Sequence, residues 1–235
     1  MLRLTWTLGL LGACLTGCVG PEWGDNSQPS LQIDQVVLGI SDLEAGIREF
    51  EELTGVRPMR GGDHPELGTH NALVKIGNRI YLEILAPRPG AEVHESLRSL
   101  SDLDRLTPVM WAVSTSDLDR TRDSLIEAGF QLTEPLAASR VQEDGPTLRF
   151  RVSEMSTGYP SSRPFLIEWD EVSPHPSESS RVSCQLRWFR VIDPQLDELR
   201  RLTRELGLGI GVEEGPRKSF AVGLTCPKGE VVIGP

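Results

Sequence analysis

The feature that most constrains the fold of this sequence is a segment order that recurs three times. Each copy starts with an apolar strand, continues with an amphipathic helix ending at a glycine, and finishes with strand-like segments. The opening strands and terminal glycines are Ile33–Ile40 with Gly55, Val109–Thr115 with Gly129, and Cys184–Ile192 with Gly207. This β-α-β-β-β repeat predicts an α+β fold with a cupped, mixed β-sheet and helices on its outer face. A ligand would then bind on the inner face.

The repeats also divide the chain. We predict a first βαβββ module over residues 31–87, a linker over 88–107 and a second module over 108–176. A third, partial βαβββ-like module follows over 182–235. The linker is expected to contain a short helix around 93–103.

The segment Gly61–Leu85 contains polar groups that an ordinary hairpin does not need. His64 lies in a glycine-rich loop, His70 and Asn71 open the next apolar strand, and Glu83 lies between two apolar residues of the strand after it. A carboxylate on a strand that is apolar on both faces is costly unless it is paired, hydrogen-bonded or bound to a cation. Glu83 is therefore a candidate site residue. The alternative is an edge-strand carboxylate in water.

The N-terminal segment predicts export. Residues 1–17 have the form of a signal peptide, because a short positive start precedes the apolar stretch Leu4–Leu15, which is too short to span a bilayer. The stretch ends at Cys18 in a sequence like a bacterial lipobox, with a competing match at Cys14. Residues 18–30 form a flexible tether. We predict a lipid-anchored envelope protein on the outer-membrane or periplasmic side; the alternative is a cleaved secretory signal with an incidental cysteine.

Export also affects the interpretation of the two downstream cysteines. In an oxidising compartment Cys184 and Cys226 are permitted to form a disulfide. Their spacing alone does not prove a bridge. The alternative is a pair of buried thiols that pack as small apolar residues.

The charge balance limits the class of partner. The chain has 34 Asp and Glu against 24 Lys and Arg. It has no basic run and no alternation of basic and aromatic residues, the patterns expected of proteins that bind nucleic acid. We therefore predict a small-molecule ligand and no nucleic acid.

Several stretches carry a family resemblance. The segments that carry it include IDQVVLGISDLEAGIREF, GGDHPELGTHNAL and YLEI. Over about residues 33–176 the sequence resembles the glyoxalase-like branch of the vicinal oxygen chelate superfamily. In that superfamily two modules form a cupped sheet, and the first and fourth strands of each module supply the ligands of a divalent cation. The resemblance implies this fold and a metal-dependent lyase or isomerase, or a related enzyme, acting on a small carbonyl or vicinal-oxygen substrate.

The resemblance also implies a ligand set. Gln35 and Glu83 fall on the first and fourth strands of module one, and an amide oxygen with a carboxylate suits a hard or borderline ion. Aligning the two modules sets Met110 opposite Gln35 and Glu168 opposite Glu83. A thioether is a poor ligand in such an oxygen-rich site, so the four-ligand set is incomplete. His70 or His175 can supply a substitute.

Three interpretations remain open. The first is a rearranged site for Zn, Ni, Mn or Fe, in which Glu83 or Glu168 also moves a proton; its ligands come from Gln35, Glu83, Glu168 and His70. The second is a metal-free pocket that binds or sequesters a small molecule, with polar contacts from His64, His70, Asn71 and His175. The third is structural, with His70 and Asn71 capping turns and the glutamates paired to Arg79, Arg149 or Arg151. A homodimer is a further expectation.

Overall fold

The computed structural model of this protein describes residues 31–141, 145–155, 158–178 and 184–235. The predicted signal peptide, the tether and the lipidation residue Cys18 lie outside the described residues. Within the described ranges, no helix is long and apolar enough to span a bilayer.

The elements follow the order that the repeat predicts. Each of three successive units consists of a strand, a helix and three strands. The strands are β1 Gln32–Gly39, β2 Met59–His64, β3 Thr69–Gly77, β4 Ile80–Pro87, β5 Thr107–Ser114, β6 Leu136–Arg140, β7 Leu148–Glu154, β8 Phe165–Trp169, β9 Gln185–Asp193, β10 Gly211–Glu214, β11 Ser219–Cys226 and β12 Gly229–Ile233. The helices are α1 Leu43–Thr54, α2 Leu118–Glu127 and α3 Leu196–Glu205, with short 3-10 helices at Glu95–Asp102 and Pro176–Glu178.

The first two helices begin and end through local chemistry. The Asp42 carboxylate accepts a hydrogen bond from the Ala45 amide at 2.6 Å, which caps α1. Asp117 caps α2 in the same way through the amide of Arg120 at 3.0 Å. At the other end of α1, Gly55 has a φ of 76°, a conformation that glycine adopts without strain.

The first two modules form one eight-stranded sheet that closes on itself. Its strand order is β2-β3-β4-β1-β5-β8-β7-β6, and β1 pairs with β5 where the modules meet. The edge strands β2 and β6 are joined by two backbone hydrogen bonds between Asp63 and Val141, at 3.1 and 3.2 Å. The predicted α+β class and cupped sheet are confirmed, and this contact makes the cup nearly a barrel.

The two faces of this sheet have different partners. On the outer face, Leu82 and Ile84 of β4 belong to a buried core with Ile47 and Phe50 of α1. Because side chains alternate along a strand, the neighbouring residue Glu83 points to the opposite, inner face. The helices are therefore outside and the inner face is left for a cavity, as predicted.

The third module has the predicted element order but a different sheet. Its strand order is β10-β9-β11-β12, so its first strand lies between its second and third, whereas in module one the first strand pairs with the fourth. This sheet packs against the outer face of the large one. Phe189 lies between Trp111 of β5 and Phe220 of β11, with ring centroids 5.0 and 5.4 Å apart. The third module thus covers the double module and does not extend its sheet.

A disulfide joins Cys184 and Cys226, which decides between the two alternatives for this pair. Cys184 directly precedes β9, and Cys226 ends β11. Both residues belong to the main apolar core. The bridge therefore links the two central strands of the third sheet at one end.

Candidate functional site

A cavity of about 330 Å³ lies inside the closed sheet. One wall is polar and comes from module one: Gln35 of β1, His64 of β2, Asn71 of β3 and Glu83 of β4. The facing wall is apolar and comes mainly from module two: Met110 of β5, Phe150 and Val152 of β7, and Phe165 and Ile167 of β8. A volume of this size is at the lower end of the range for small-molecule sites.

Asn71 organises the polar wall. Its Nδ2 amide donates one hydrogen bond to Glu83 Oε1 at 2.7 Å and faces His64 Nε2 at 3.4 Å. The other ring nitrogen of His64, Nδ1, lies 3.0 Å from Thr69 Oγ1 and donates to it in the tautomer that carries the proton on Nδ1. Glu83 Oε1 and His64 Nε2 are 4.0 Å apart. Two ionisable groups are thus held side by side by one amide.

Gly61 makes this arrangement possible. A Cβ atom at position 61 would lie 2.2 Å from Asn71 Oδ1, a distance that atoms do not tolerate. The glycine-rich stretch around it is therefore a strand packed against Asn71, and the prediction that Gly61 and His64 lie in a loop is wrong. The glycine is required for space, because the amide of Asn71 occupies the place of its side chain.

The second module supplies no counterpart of the polar wall. Val37 of β1 is aligned with Glu83 of β4, and the equivalent residue of β5, Ala112, is aligned with Phe165 of β8. Phe165 therefore takes the place that Glu83 has in module one. Met110, the predicted counterpart of Gln35, also lines the cavity.

Glu168 lies outside this cavity, so its predicted pairing with Glu83 in one site is wrong. It is three residues beyond Phe165, and an odd step along a strand reverses the face. Its carboxylate accepts hydrogen bonds from Arg151 Nη1 at 3.0 Å and from the Leu118 amide at 3.1 Å. A larger, open groove of about 850 Å³ surrounds it. Among the described residues, none that lines this groove has a buried side-chain polar atom without a hydrogen-bond partner.

His70 is also directed away from Glu83. It precedes Asn71 on β3 and so points to the opposite face. It lines a groove with Arg60, Gly62 and Asp63 at the sheet edge, where partial burial lowers the pKa of its imidazole. The structure therefore does not bring His70 together with Glu83, and its predicted role as a ligand stays a prediction.

His175 is buried behind the cavity wall and does not line it. Its Nε2 donates to Asp34 Oδ2 at 3.1 Å, and its Nδ1 accepts from the Ser177 amide at 3.2 Å. Asp34 Oδ2 also accepts a hydrogen bond from Trp169 Nε1 at 3.0 Å. The imidazole makes edge contacts with Tyr81 and Trp169, which do line the cavity. His175 thus supports the wall, which corrects its predicted role as a substrate ligand.

This buried row has the composition of a nucleophilic triad but not its accessibility. The Ser177 hydroxyl lies 2.8 Å from His175 Nδ1, on the far side of the ring from Asp34. All three residues are at most 1% exposed. No substrate can reach the hydroxyl, so the row stabilises the fold.

The donor set does not fit the metal site that the family resemblance implies. At the four ligand positions that the resemblance implies, oxygen donors come only from module one, since Met110 and Phe165 occupy the two positions in module two. The described ranges contain no group of three or more His, Cys, Asp or Glu arranged to hold a metal ion. The guanidinium of Arg140 also lines the cavity, and a positive charge there opposes a second cation.

Arg140, at the end of β6, is the site residue that sequence reasoning missed. It is 3% exposed, although arginine on a short strand is normally in contact with water. Its burial depends on the contact between β2 and β6 that closes the sheet, and no local pattern signals that contact. Asp34 was missed for the same reason.

The buried imidazole of His64 predicts a pH dependence of stability. Burial is the main cause that lowers its pKa below 6.5; Arg140 and His70 act in the same direction, while Glu83 and Asp63 raise it. The unfolded chain then binds the proton better, so stability is complete above pH 6.5 and decreases as the pH falls toward the folded-state pKa. The slope is at most about 1.4 kcal/mol per pH unit for one group.

We expect His64→Gln to flatten this acid limb in urea unfolding measured between pH 7.5 and 5. His70→Gln is the comparison variant: its imidazole also has a lowered pKa but is less buried, so a smaller flattening is expected. A His64→Gln limb as steep as that of the unmodified protein would contradict the assignment.

The sequence places the chain in a family. A family model described as a glyoxalase-like domain matches residues 33–207, well over half of the chain. The chain belongs to this glyoxalase-like family. The match extends beyond the two modules of the closed sheet and ends just after α3, so the glyoxalase-like domain includes the first half of the third module. Among proteins of curated function, none matches the sequence significantly.

A solved structure supports the fold, and a second one is similar over a shorter part of the chain. A hypothetical protein from Staphylococcus aureus is similar with a TM-score of 0.61 at 14% identity, over 87% of this chain and 85% of that chain. A variant of methylmalonyl-CoA epimerase from Streptomyces coelicolor, in complex with 2-nitronate-propionyl-CoA, gives a TM-score of 0.43 at 19% identity, over 61% of this chain and 97% of that chain. At these identities the similarity concerns the fold alone.

Proposed function

We propose that this glyoxalase-like protein binds a small organic molecule inside the closed sheet without a resident metal. The observation that carries the proposal is the cavity of about 330 Å³ inside the sheet, with one polar and one apolar wall. Gln35 Oε1 is buried in the polar wall and has no hydrogen-bond partner among the described residues. Buried polar atoms are normally satisfied, so a ligand that donates a hydrogen bond to this oxygen would remove its cost.

The two walls indicate what such a ligand contains. Gln35, His64 and Glu83 require a polar end that can donate and accept hydrogen bonds. Met110 and Phe165 require an apolar body, since burying apolar area contributes about 25 cal/mol per Å². Small carbonyl compounds with a short hydrocarbon part meet both requirements.

Filling the cavity tests the proposal. Hexanamide has a polar end and an apolar body, and its affinity for the full-length protein is measured by ligand-observed NMR. We expect Met110→Trp to weaken this affinity by about tenfold or more, because the indole takes the place of the ligand's apolar body. Val172→Trp is the matched control, since Val172 is 86% exposed and outside the cavity. Equal binding by the two variants, or none by the unmodified protein, would contradict the proposal.

A second candidate function is proton transfer at a carbon next to a carbonyl group, the isomerase or lyase chemistry expected from the resemblance. It is favoured by the carboxylate of Glu83 and the neutral imidazole of His64, held 4.0 Å apart on the cavity wall. Glu83 would accept the proton, and Arg140 offers positive charge to the oxyanion that forms. Exchange of solvent deuterium into a bound carbonyl compound tests this candidate.

We also propose that the protein acts outside the cytoplasm, anchored through Cys18. The apolar start of the chain and its tether support export, and the Cys184–Cys226 disulfide is of the kind that persists in oxidising compartments. A thiol reagent that labelled Cys184 and Cys226 in intact cells would contradict this location. The expected homodimer stays a prediction.

A further inference from the structure

Arg140 presents a buried positive charge to the cavity, and no acidic side chain of the described residues pairs with it. Its side chain lines the cavity and is 3% exposed. Its Nε and Nη2 atoms are buried and have no hydrogen-bond partner among the described residues. The ion pairs of the described residues also do not include it, although arginine is rarely buried unpaired. A ligand can therefore supply the hydrogen-bond and charge partner that this guanidinium does not have among the described residues.

The two unpartnered nitrogens lie on the same edge of the guanidinium. Nε–H and one N–H of Nη2 are parallel there, and this fork matches the two oxygens of a carboxylate. We propose that the ligand of the cavity carries a planar oxyanion, a carboxylate in the first place, which Arg140 binds through this edge. The inference rests on the proposed binding function and specifies its ligand class.

The acidic residues of the cavity do not fill this role. Glu83 accepts its hydrogen bond from Asn71, and Glu154 accepts one from the Tyr159 hydroxyl at 3.2 Å. Glu66, the third carboxylate of the lining, is exposed to solvent. No ion pair within 4.0 Å joins any of these three groups to Arg140 in the described part of the chain. The counter-charge is thus left to the ligand.

The rest of the cavity limits the size and shape of this ligand. Met110, Phe165 and Ile167 form an apolar surface, which suits a short hydrocarbon chain attached to the anion. About 330 Å³ suits an acid of a few carbons. A phosphate monoester offers similar oxygens to the guanidinium, so the experiment compares the two anions.

Hexanoate and hexanamide form a matched pair of probes, because they share the apolar chain and differ in charge. We expect hexanoate to bind the full-length protein about 10- to 100-fold more tightly than hexanamide, as measured by calorimetry. Arg140→Met should remove this preference, and Arg140→Lys should restore only part of it because the fork is lost. Arg149→Met is the control, since Arg149 is exposed and outside the cavity. Tighter binding of hexyl phosphate than of hexanoate would overturn the assignment of a planar oxyanion, because a phosphate group is tetrahedral.

The ligand-free proteins give a second readout. An unpaired buried charge is costly, so Arg140→Met is expected to raise the melting temperature of the ligand-free protein by about 3 °C or more. If Glu143 or Asp144, which lie outside the described residues, neutralised Arg140, the melting temperature would fall instead. The Glu143→Gln/Asp144→Asn variant would then remove the effect of Arg140→Met, and the inference would be overturned.

The outcomes separate this inference from the proposed function. Equal affinity of hexanoate and hexanamide, both lost in Met110→Trp, would overturn the oxyanion assignment and leave the binding cavity intact. A hexanoate preference that persists in Arg140→Met would also overturn it. Loss of the preference in Arg140→Met, with hexanoate affinity reduced far more than hexanamide affinity, supports it.

Discussion

Replacing Glu83 with glutamine is expected to slow the exchange of solvent deuterium into a bound carbonyl compound by about 10²- to 10⁴-fold. The glutamine keeps the shape of the side chain and an oxygen that accepts the hydrogen bond from Asn71, but it cannot take up a proton. The fold and the cavity should therefore be retained while the chemistry is lost. The measurement is ¹H NMR of hydroxyacetone and related vicinal-oxygen carbonyl compounds incubated in D₂O with the full-length protein.

Glu168→Gln is the matched control for this variant. Its carboxylate is bound by Arg151 and by the Leu118 amide on the outer face, so the same substitution should leave exchange unchanged. Equal exchange in the Glu83→Gln variant and the unmodified protein would contradict proton transfer. Binding that continues in both variants without any exchange would favour the function of a small-molecule binder.

The order of the elements was predictable because the signals that define it are local. The spacing of Ile47 and Phe50 places one side of α1 on the sheet, and Gly55 ends the helix where the pattern stops. The strand order of the third module was not predictable in this way. Pairing of β9 with β10 and β11 depends on how the third sheet packs against Trp111, a contact between residues far apart in sequence.

The candidate site could be predicted in its first module only. The resemblance placed Gln35 and Glu83 on the strands that do line the cavity. In β8 the sequence alignment placed Glu168 opposite Glu83 because the two residues are of the same type. The strand register instead places Phe165 at that position. Both faces of β8 contain apolar residues, so the alternation of apolar and polar residues along the strand does not reveal that Glu168 lies three positions from the residue aligned with Glu83.

The polar residues that matter most for the cavity are buried by closure of the sheet. Local sequence does not show what surrounds Arg140 and Asp34. The environment of Arg140 forms when β2 meets β6, and that of Asp34 forms when the turn that carries His175 folds over the wall. Long-range packing of this kind has no short sequence signature. The same closure gives the cavity its walls, although the ligand set implied by the resemblance is incomplete.

Removing the disulfide is expected to cause a large loss of stability. The bridge spans a sequence separation of 42 residues, and the chain-entropy relation gives about 4 kcal/mol for a loop of this length. The third sheet has four strands and depends on its packing against the double module, so it has little stability of its own to compensate. We expect Cys184→Ser/Cys226→Ser to lower the free energy of unfolding by about this amount in urea titrations.

The reductant response provides the control for this prediction. Dithiothreitol should lower the unfolding midpoint of the unmodified protein and leave that of the double-serine variant unchanged, since the variant has no bridge between β9 and β11 to reduce. Hexanamide binding should persist in the variant below its unfolding transition, because the cavity lies on the inner face and Phe189 packs on the outer one. Identical unfolding midpoints for the two proteins without reductant would contradict a stabilising bridge. Loss of hexanamide binding in a folded variant would instead mean that the third module shapes the cavity wall through Trp111.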